Sequence, residues 1–209
     1  ALVATALVPA VGVALTAQSI TLANFHFVLF DYAATRRAFA NSAMLAASAA
    51  IMHVIVSVPL GYSLAARRGT LLRAVSFVAE LPYAVPGVVL AIAMILCLLR
   101  PLPLVGFSLY STIWIILVAY LSRFLLLALR PVTNALHQID PSLDEAARMS
   151  GARFARRMAT VIMPLVAPSA IAGGMLVFLM AFNELTVSAL LWSSGAETVG
   201  VVLFSLEQA

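Results

Sequence analysis

The chain has 209 residues, of which 64% are hydrophobic and only 10% are charged, with a formal net charge of +4. Soluble domains have about a quarter of their residues charged, so a soluble domain of this composition would have too little polar surface to cover itself. The composition therefore indicates an integral membrane protein. The basic excess comes from arginine and forms no patterned basic face, which excludes nucleic acid as a partner.

The apolar runs are long enough to cross a bilayer, because a spanning helix needs about 20 mainly apolar residues. We expect spans at 2–17, 42–66, 74–99, 111–129 and 161–182, and the start of a sixth at 199–204. Asn41 and Ser42 are expected to cap the second span. The predicted fold is all-α and polytopic, a single domain over 1–209 that we expect to be incomplete at both ends.

The arginines are distributed unevenly between the two sides that single crossings would define. One side holds eight of them: Arg67, Arg68, Arg73, Arg130, Arg148, Arg153, Arg156 and Arg157. The other side holds Arg36, Arg37 and Arg100. Because cytoplasmic loops are enriched in basic residues, we expect the segments that carry the eight to face the cytoplasm. Arg123 is expected near the inner end of its span, with its side chain reaching that face.

The segment 131–160, between the fourth and fifth spans, is the most informative part of the sequence. Ser142 and Glu145 have the spacing of a capping box, so we predict a short helix that begins at Ser142. Gly151 is expected to end it with a positive φ, and a second, arginine-rich helical piece should follow. On these residues alone, the segment fits either an amphipathic helix on the membrane surface or a docking element whose small residues admit another protein.

A spaced motif runs through this segment. Glu145-Ala146-Ala147 is followed, after three residues, by Gly151 and, after nine more, by Val-Ile-Met-Pro at 161–164. The pattern resembles the EAA loop of binding-protein-dependent importers of the ABC class, EAA-x3-G-x9-I-x-L-P, with two conservative apolar replacements in its last part.

The resemblance extends beyond the motif to most of the chain from residue 41 onward. The segments 81–87 and 138–143 are similar to the iron(III), thiamine and sulfate branches of these importers. The resemblance implies the type I importer permease fold in a bacterial inner membrane, and transport of ferric iron or another small ion or solute.

In that family the loop is a coupling helix that docks into a separate ATP-binding subunit. Carried over by position, Glu145, Ala146, Ala147 and Gly151 would form the contact. The implied partners are that ATP-binding cassette subunit, a second permease subunit or fused half, an external substrate-binding protein and membrane lipid. The sequence contains no G-x-x-x-x-G-K-[ST] phosphate-binding loop. We therefore expect no enzymatic activity and no cofactor on this chain, with ATP and Mg²⁺ bound by the partner subunit.

Polar and helix-breaking residues inside the runs are candidate pathway residues, because ionisable groups in spans are costly. Glu80, Pro82 and Pro86 predict a kinked helix that lines the substrate path. Asn183 and Glu184, at the end of the fifth run, would line its outer part. The simpler interpretations are a packing kink with Glu80 near the headgroups, and an interfacial polar pair without substrate contact.

Two other classes of function remain as alternatives. A gradient-driven secondary transporter would need ionisable groups near the bilayer centre. An intramembrane enzyme would need a catalytic constellation, and the runs offer none. His26, His53 and His137 share no ligand spacing with one another or with Cys97, so no metal site is predicted.

Overall fold

The computed structural model describes residues 5–9, 12–14, 16, 19–66, 70–101 and 106–207. In this part of the chain all regular structure is helical, which confirms the expected all-α fold. The helices of nine or more residues in it are α1 (Ala33–Ala66), α2 (Thr70–Ala84), α3 (Gly87–Leu98), α4 (Ile113–Arg123), α5 (Leu125–Gln138), α6 (Pro141–Met149), α7 (Met163–Phe182) and α8 (Val199–Glu207).

Three helical stretches of the described residues are long and apolar enough to cross a membrane, namely Ala33–Ala65, Ile113–Gln138 and Phe154–Phe182. The second consists of α4 and α5, which meet at Phe124. The third adds a short helix, Phe154–Arg157, and a π-helical turn, Met158–Ile162, to α7. A fourth candidate is the pair Ala74–Ala84 and Gly87–Leu98, which is bent by 113°.

The bundle has two ends, which we name after contacts made by α1. At the Asn41 end, the Asn41 side-chain amide donates to the carbonyl oxygens of Gly195 and Glu197 at 3.0 and 2.9 Å. At the Asp144 end, the Tyr62 hydroxyl contacts Asp144 of α6. Residues 41 and 62 are about 30 Å apart along the helix at 1.5 Å per residue, which matches the thickness of a bilayer core.

The bent pair α2–α3 crosses the bundle once. Glu80 of α2 pairs with Arg130 of α5, and α2 shares a cavity with Leu64 near the Asp144 end of α1. Beyond α3, the Ser193 hydroxyl donates to the Ser111 carbonyl at 3.0 Å, in the loop that Asn41 holds. The chain therefore enters α2 near one end and leaves α3 at the other, as a broken span.

The core consists of two apolar clusters. One lies among α1, α3, α4 and α7 and includes Leu45, Ile116 and Val177. The other lies towards the Asp144 end, among α1, α5 and α7, and includes Val58 and Val132. Where α5 and α7 cross, a Cβ on Gly173 would lie 3.0 Å from the Ala128 backbone, so a glycine is required for this close approach.

Several expected boundaries are wrong. Asn41 and Ser42 do not cap α1, which begins at Ala33, because the preceding residues continue the helix despite their charge. The span expected at 111–129 continues through α5 to Gln138, and Phe154–Phe182 is a continuous stretch. The loop expected over 131–160 is thus shorter, and Arg130 lies within α5.

The remaining expectations concern the two ends of the sequence. The first expected span, at 2–17, lies partly outside the described residues, and among those described only residues 5 and 6 are helical. Residues 7–9 and 12–14 are turns, bends or irregular, so the expectation of one continuous helix over 2–17 is wrong. A helix, α8, begins at Val199, where the start of a sixth span was expected, and its described part is nine residues long.

Candidate docking helix and intramembrane polar site

The N-terminus of α6 is capped two residues earlier than the sequence indicated. Asp140 is the cap, and its carboxylate accepts a hydrogen bond from the Ser142 backbone N–H at 2.9 Å. The capping box expected from Ser142 and Glu145 is therefore wrong, because Pro141 suits the first helical position and Asp140 caps as well as serine. The hydrogen bonds from Ser142 hold the pKa of Asp140 below its ordinary value.

The C-terminus of α6 is as expected. Gly151 has a φ of +79°, and the Ala152 N–H donates to the Ala147 carbonyl at 3.2 Å. A residue in this left-handed conformation satisfies the last carbonyls of a helix and turns the chain. The chain then enters the short helix Phe154–Arg157 that leads to α7.

Most of α6 faces away from the bundle. Glu145, Ala146 and Gly151 are exposed, as is Met149, whose side chain is 90% accessible. Ala147 is half-buried and lies on the side of the bundle. Between α6 and the bundle is a cavity of about 320 Å³, lined by Tyr62, Ala65, Leu136, Ile139, Asp140, Asp144, Glu145, Arg148 and Ile162.

Three polar side chains, which we call the clasp (Tyr62, Asp144 and Arg157), bridge this gap. Asp144 accepts from the Tyr62 hydroxyl at 2.7 Å with one carboxylate oxygen and from Arg157 Nε at 2.8 Å with the other. Arg157 Nη2 donates to the Tyr62 hydroxyl oxygen at 3.1 Å, which closes the triangle. The side chains of Arg157 and Asp144 are only 12% and 19% exposed.

The charge state of Asp144 follows from these contacts. Burial opposes its ionisation, but the hydrogen bonds from Tyr62 and Arg157, together with the charges of Arg157 and Arg148, outweigh burial and lower the pKa of Asp144. The sequence interpretation missed this cluster. Its members are far apart in the chain, and no periodicity or motif links position 62 to position 144.

The predicted kink in the third span is present, and the structure locates it. Pro82 lies within α2 without breaking it. Pro86 precedes α3 in an extended conformation, with φ −53° and ψ 139°, and provides no N–H for the helical ladder. The break therefore falls at Pro86.

Glu80 faces a cavity near this break. Its carboxylate lies 3.7 Å from the Arg130 guanidinium, and the two side chains are 50% and 66% exposed. Both line a cavity of about 450 Å³ with Tyr83, Ala84, Leu126, Leu127, Pro131 and Leu176. Glu80 thus has a charged partner that the sequence interpretation had assigned to a loop.

Asn183 and Glu184 shape the chain after α7. The Asn183 side-chain amide donates back to the Leu179 carbonyl at 2.9 Å. The Glu184 carboxylate accepts from the Thr186 hydroxyl at 2.6 Å and from the Val187 N–H at 2.9 Å. These contacts satisfy polar groups at the point where the helix stops.

The break between α2 and α3, the break between α4 and α5, and the end of α7 lie close together around Arg123. We call this region the junction (Val85, Gly87, Arg123, Glu184 and Thr186). Arg123 Nη1 donates to the Val85 carbonyl at 3.3 Å, and a Cβ on Gly87 would lie 3.2 Å from the same nitrogen and would overlap Thr186. The expectation that the Arg123 side chain reaches the inner face is wrong, because the freed carbonyl at the break offers it a partner. Broken helices are tolerated where such partners exist.

The expected pathway residues therefore fall into two groups. Glu80 lies towards the Asp144 end with Arg130, whereas Pro86 and Glu184 belong to or adjoin the junction. His53 is buried within the bundle, with its ring nitrogens 2.6 Å from the Ala49 carbonyl and 3.0 Å from the Leu121 carbonyl. Among the described residues, no group of three His, Cys, Asp or Glu side chains is placed to hold a metal ion.

Three helical stretches long and apolar enough to cross a membrane, a bent pair as a fourth candidate and an exposed helix beyond them define a multi-pass membrane protein. The family of binding-protein-dependent transport system inner membrane components matches residues 57–208, and the chain belongs to this family. The family expected from the EAA motif is thereby confirmed, with the fold of an ABC transporter permease.

Several curated relatives are permeases. The chain is 34% identical over 176 residues to the probable ABC transporter permease protein y4fN of Sinorhizobium fredii, covering 84% of the chain and 30% of the relative. It is 25% identical over 174 residues to the Fe(3+)-transport system permease protein FbpB 2 of Haemophilus influenzae, covering 83% and 34%. It is 24% identical over 133 residues to the putrescine transport system permease protein PotI of Escherichia coli, covering 62% and 46%. The chain thus spans about a third of the length of the first two.

Proposed function

We propose that this chain forms all or part of the transmembrane permease subunit of an ATP-driven, binding-protein-dependent importer. The observation that carries the proposal is the exposed helix α6 with its EAA sequence, which stands off the bundle at one end of the spans. In this role α6 is the coupling helix, and it docks into a separate ATP-binding subunit.

The exposed side chains of α6 support this role. Glu145 and Ala146 are exposed, and Gly151 follows them at the exposed turn. Met149 lies beyond the spans and is 90% exposed, so its side chain is accessible to a docked partner. Ala147, which is half-buried, contributes both to the packing of α6 on the bundle and to the partner contact.

The energy source lies outside this chain in this proposal. ATP and Mg²⁺ bind to the partner subunit, and this chain binds no cofactor of its own. Nucleotide binding draws the partner subunits together, α6 follows, and the spans alternate between inward and outward access. A second permease subunit or fused half completes the path, and an external binding protein delivers substrate across the bacterial inner membrane.

The path itself is formed around the two polar groups. Glu80 and Pro82 line the part of the path near the Asp144 end. Pro86, Asn183 and Glu184 line the part at and beyond the junction. Two of the relatives are named for different substrates, Fe(3+) and putrescine. The substrate class in this proposal is therefore a small ion or solute, with ferric iron as one member.

The test is co-expression of the complete permease with its presumed ATP-binding subunit. Ala146→Asp should abolish co-purification, because it places a charged side chain on the exposed face of α6 without disturbing the bundle. Ala155→Asp is the matched control, since it adds the same side chain at an exposed position outside α6. Failure of the wild type to bind any ATP-binding subunit, together with uptake that persists without ATP, would overturn the proposal in favour of a gradient-driven transporter.

A further inference from the structure

We propose that the clasp of Tyr62, Asp144 and Arg157 transmits the movement of α6 to α1 and to the segment that leads into α7. This inference rests on the proposed function, in which α6 is the moving element. The three residues act as positioning residues, since none of them is placed in the path or in the exposed face of α6.

The covalent connections of α6 are poorly suited to transmit a rotation. On one side, Ile139 and Asp140 are extended, with ψ of 131° and 124°. On the other side, Gly151 has a positive φ and Arg153 is extended again. Such non-helical links act as hinges, because a few residues at helix ends absorb changes in φ and ψ. A helix held only by these links would pivot without moving the spans.

Apolar packing does not fix α6 either. The cavity of about 320 Å³ separates it from the bundle, and none of its described side chains is fully buried. The clasp crosses this gap. Its ion pair is 12% and 19% exposed, so it is less screened than a surface pair, and charge-assisted hydrogen bonds are shorter and stronger than neutral ones.

The closed triangle fixes the orientation of α6 as well as its distance. Each carboxylate oxygen of Asp144 accepts a hydrogen bond, one from Tyr62 and the other from Arg157. Tyr62 and Arg157 are also hydrogen-bonded to each other. The ring of Tyr62 also packs against Phe154, with 5.8 Å between ring centroids. Because Tyr62 belongs to α1 and Arg157 to the stretch continuous with α7, a rotation of α6 moves two spans together.

The experiment uses the complete permease with its ATP-binding subunit and needs no transported substrate. A reporter thiol is introduced by Leu176→Cys, in a cysteine-free background that includes Cys97→Ser, since Leu176 lines the cavity of Glu80 and Arg130. The rate at which a water-soluble thiol reagent modifies position 176 is measured with and without ATP and vanadate. Co-purification and basal ATP hydrolysis are measured on the same samples.

The clasp variants are Asp144→Asn, Tyr62→Phe and Arg157→Gln, with Arg156→Gln as the matched control at the exposed neighbouring arginine. With an intact clasp, trapping should change the modification rate by about tenfold, within the usual range of coupling between sites. The clasp variants should lose most of this change while co-purification and basal hydrolysis persist. Asp144→Asn combined with Arg157→Gln should be no worse than either alone, because contacting residues are not additive.

Two results would contradict the inference while leaving the proposed function intact. One is a normal nucleotide-dependent change in Asp144→Asn and Tyr62→Phe. The other is loss of co-purification in every clasp variant, which would assign these residues to folding or docking. Tyr62→Phe keeps the ion pair, so it remains informative if Asp144→Asn does not fold. Absence of a complex already in the wild type would instead remove the proposed function, and the inference with it.

Discussion

The clasp and the junction both place charged side chains within a mostly apolar chain, but the hydrogen-bond partners of these side chains differ. In the clasp, the Asp144 carboxylate meets two donors at 2.7 and 2.8 Å, and the triangle is closed. In the junction, the Arg123 guanidinium meets a backbone carbonyl at 3.3 Å. No carboxylate lies within 4 Å of Arg123 among the residues that the structure describes.

The difference shows where the molecule is built to hold and where it is built to rearrange. A closed, charge-assisted triangle has one favourable geometry. A guanidinium on a single carbonyl at a helix break has other donors to offer, and the interrupted helices around it have fewer ladder hydrogen bonds to lose. The rigid contact thus lies beside the helix proposed to receive the force, and the adaptable one lies within the spans.

The largest expected effect is that of Gly87→Ala in the junction. The added Cβ would overlap Thr186 and lie 3.2 Å from Arg123 Nη1, so we expect destabilisation of about 1–3 kcal/mol. Alanine normally stabilises a helix relative to glycine, so the sign of the effect is diagnostic. Thermal unfolding of the purified protein in mild detergent measures it.

The control for this prediction is a double variant. Thr186→Ala removes the hydroxyl that the new Cβ would meet first, so Gly87→Ala should cost less in the Thr186→Ala background than alone. Equal costs in both backgrounds, or a gain of stability from Gly87→Ala, would show that the three interruptions are not in contact at the junction.

Local features of this molecule could be predicted from the sequence, because they depend on neighbouring residues. The all-α fold, a kink in the segment of Pro82 and Pro86 and the positive φ of Gly151 all follow from composition or from a single residue type. The EAA spacing indicated the family in the same way. The cap of α6 was ambiguous, since Asp140 and Ser142 both suit the role, and Pro141 at the first helical position decides between them.

The contacts between distant segments could not be predicted. Tyr62 meets Asp144 across 82 positions and Arg123 meets Val85 across 38, and neither pair leaves a periodic signal. An arginine at the end of an apolar run can bind either lipid headgroups or a carbonyl freed by a break in a neighbouring helix. The packing of α4 against the α2–α3 break determines which of these partners Arg123 binds.

An intermediate effect is expected from the titration of Asp144 in the clasp. Its pKa in the folded protein is lowered from the ordinary value of 3.8, so the stabilisation is present above that value and is lost as the pH falls through the folded pKa. The groups facing it are Tyr62, Arg157 and Arg148. The stability difference between wild type and Asp144→Asn should therefore be about 1–2 kcal/mol and constant from pH 8 to about pH 5.

Unfolding by denaturant at a series of pH values checks this prediction. The difference should begin to shrink below about pH 4, where aspartate in the unfolded chain becomes protonated. It should approach zero as the pH falls through the lowered folded pKa of Asp144. Arg156→Gln serves as the control and should show no such pH dependence. A difference that changes between pH 8 and pH 6 would mean that some other group titrates in the clasp.

The smallest effect is expected at the Glu80–Arg130 pair, which lies between the two regions. The nitrogen–oxygen distance is 3.7 Å and the side chains are 50% and 66% exposed, so Glu80→Gln should change stability by less than about 1 kcal/mol. Transport should respond more than stability, because both side chains line the cavity of about 450 Å³ and the substitution leaves the charge of Arg130 unpaired there. A loss of stability as large as that of Asp144→Asn would instead place the pair with the clasp, as a contact that holds the structure together.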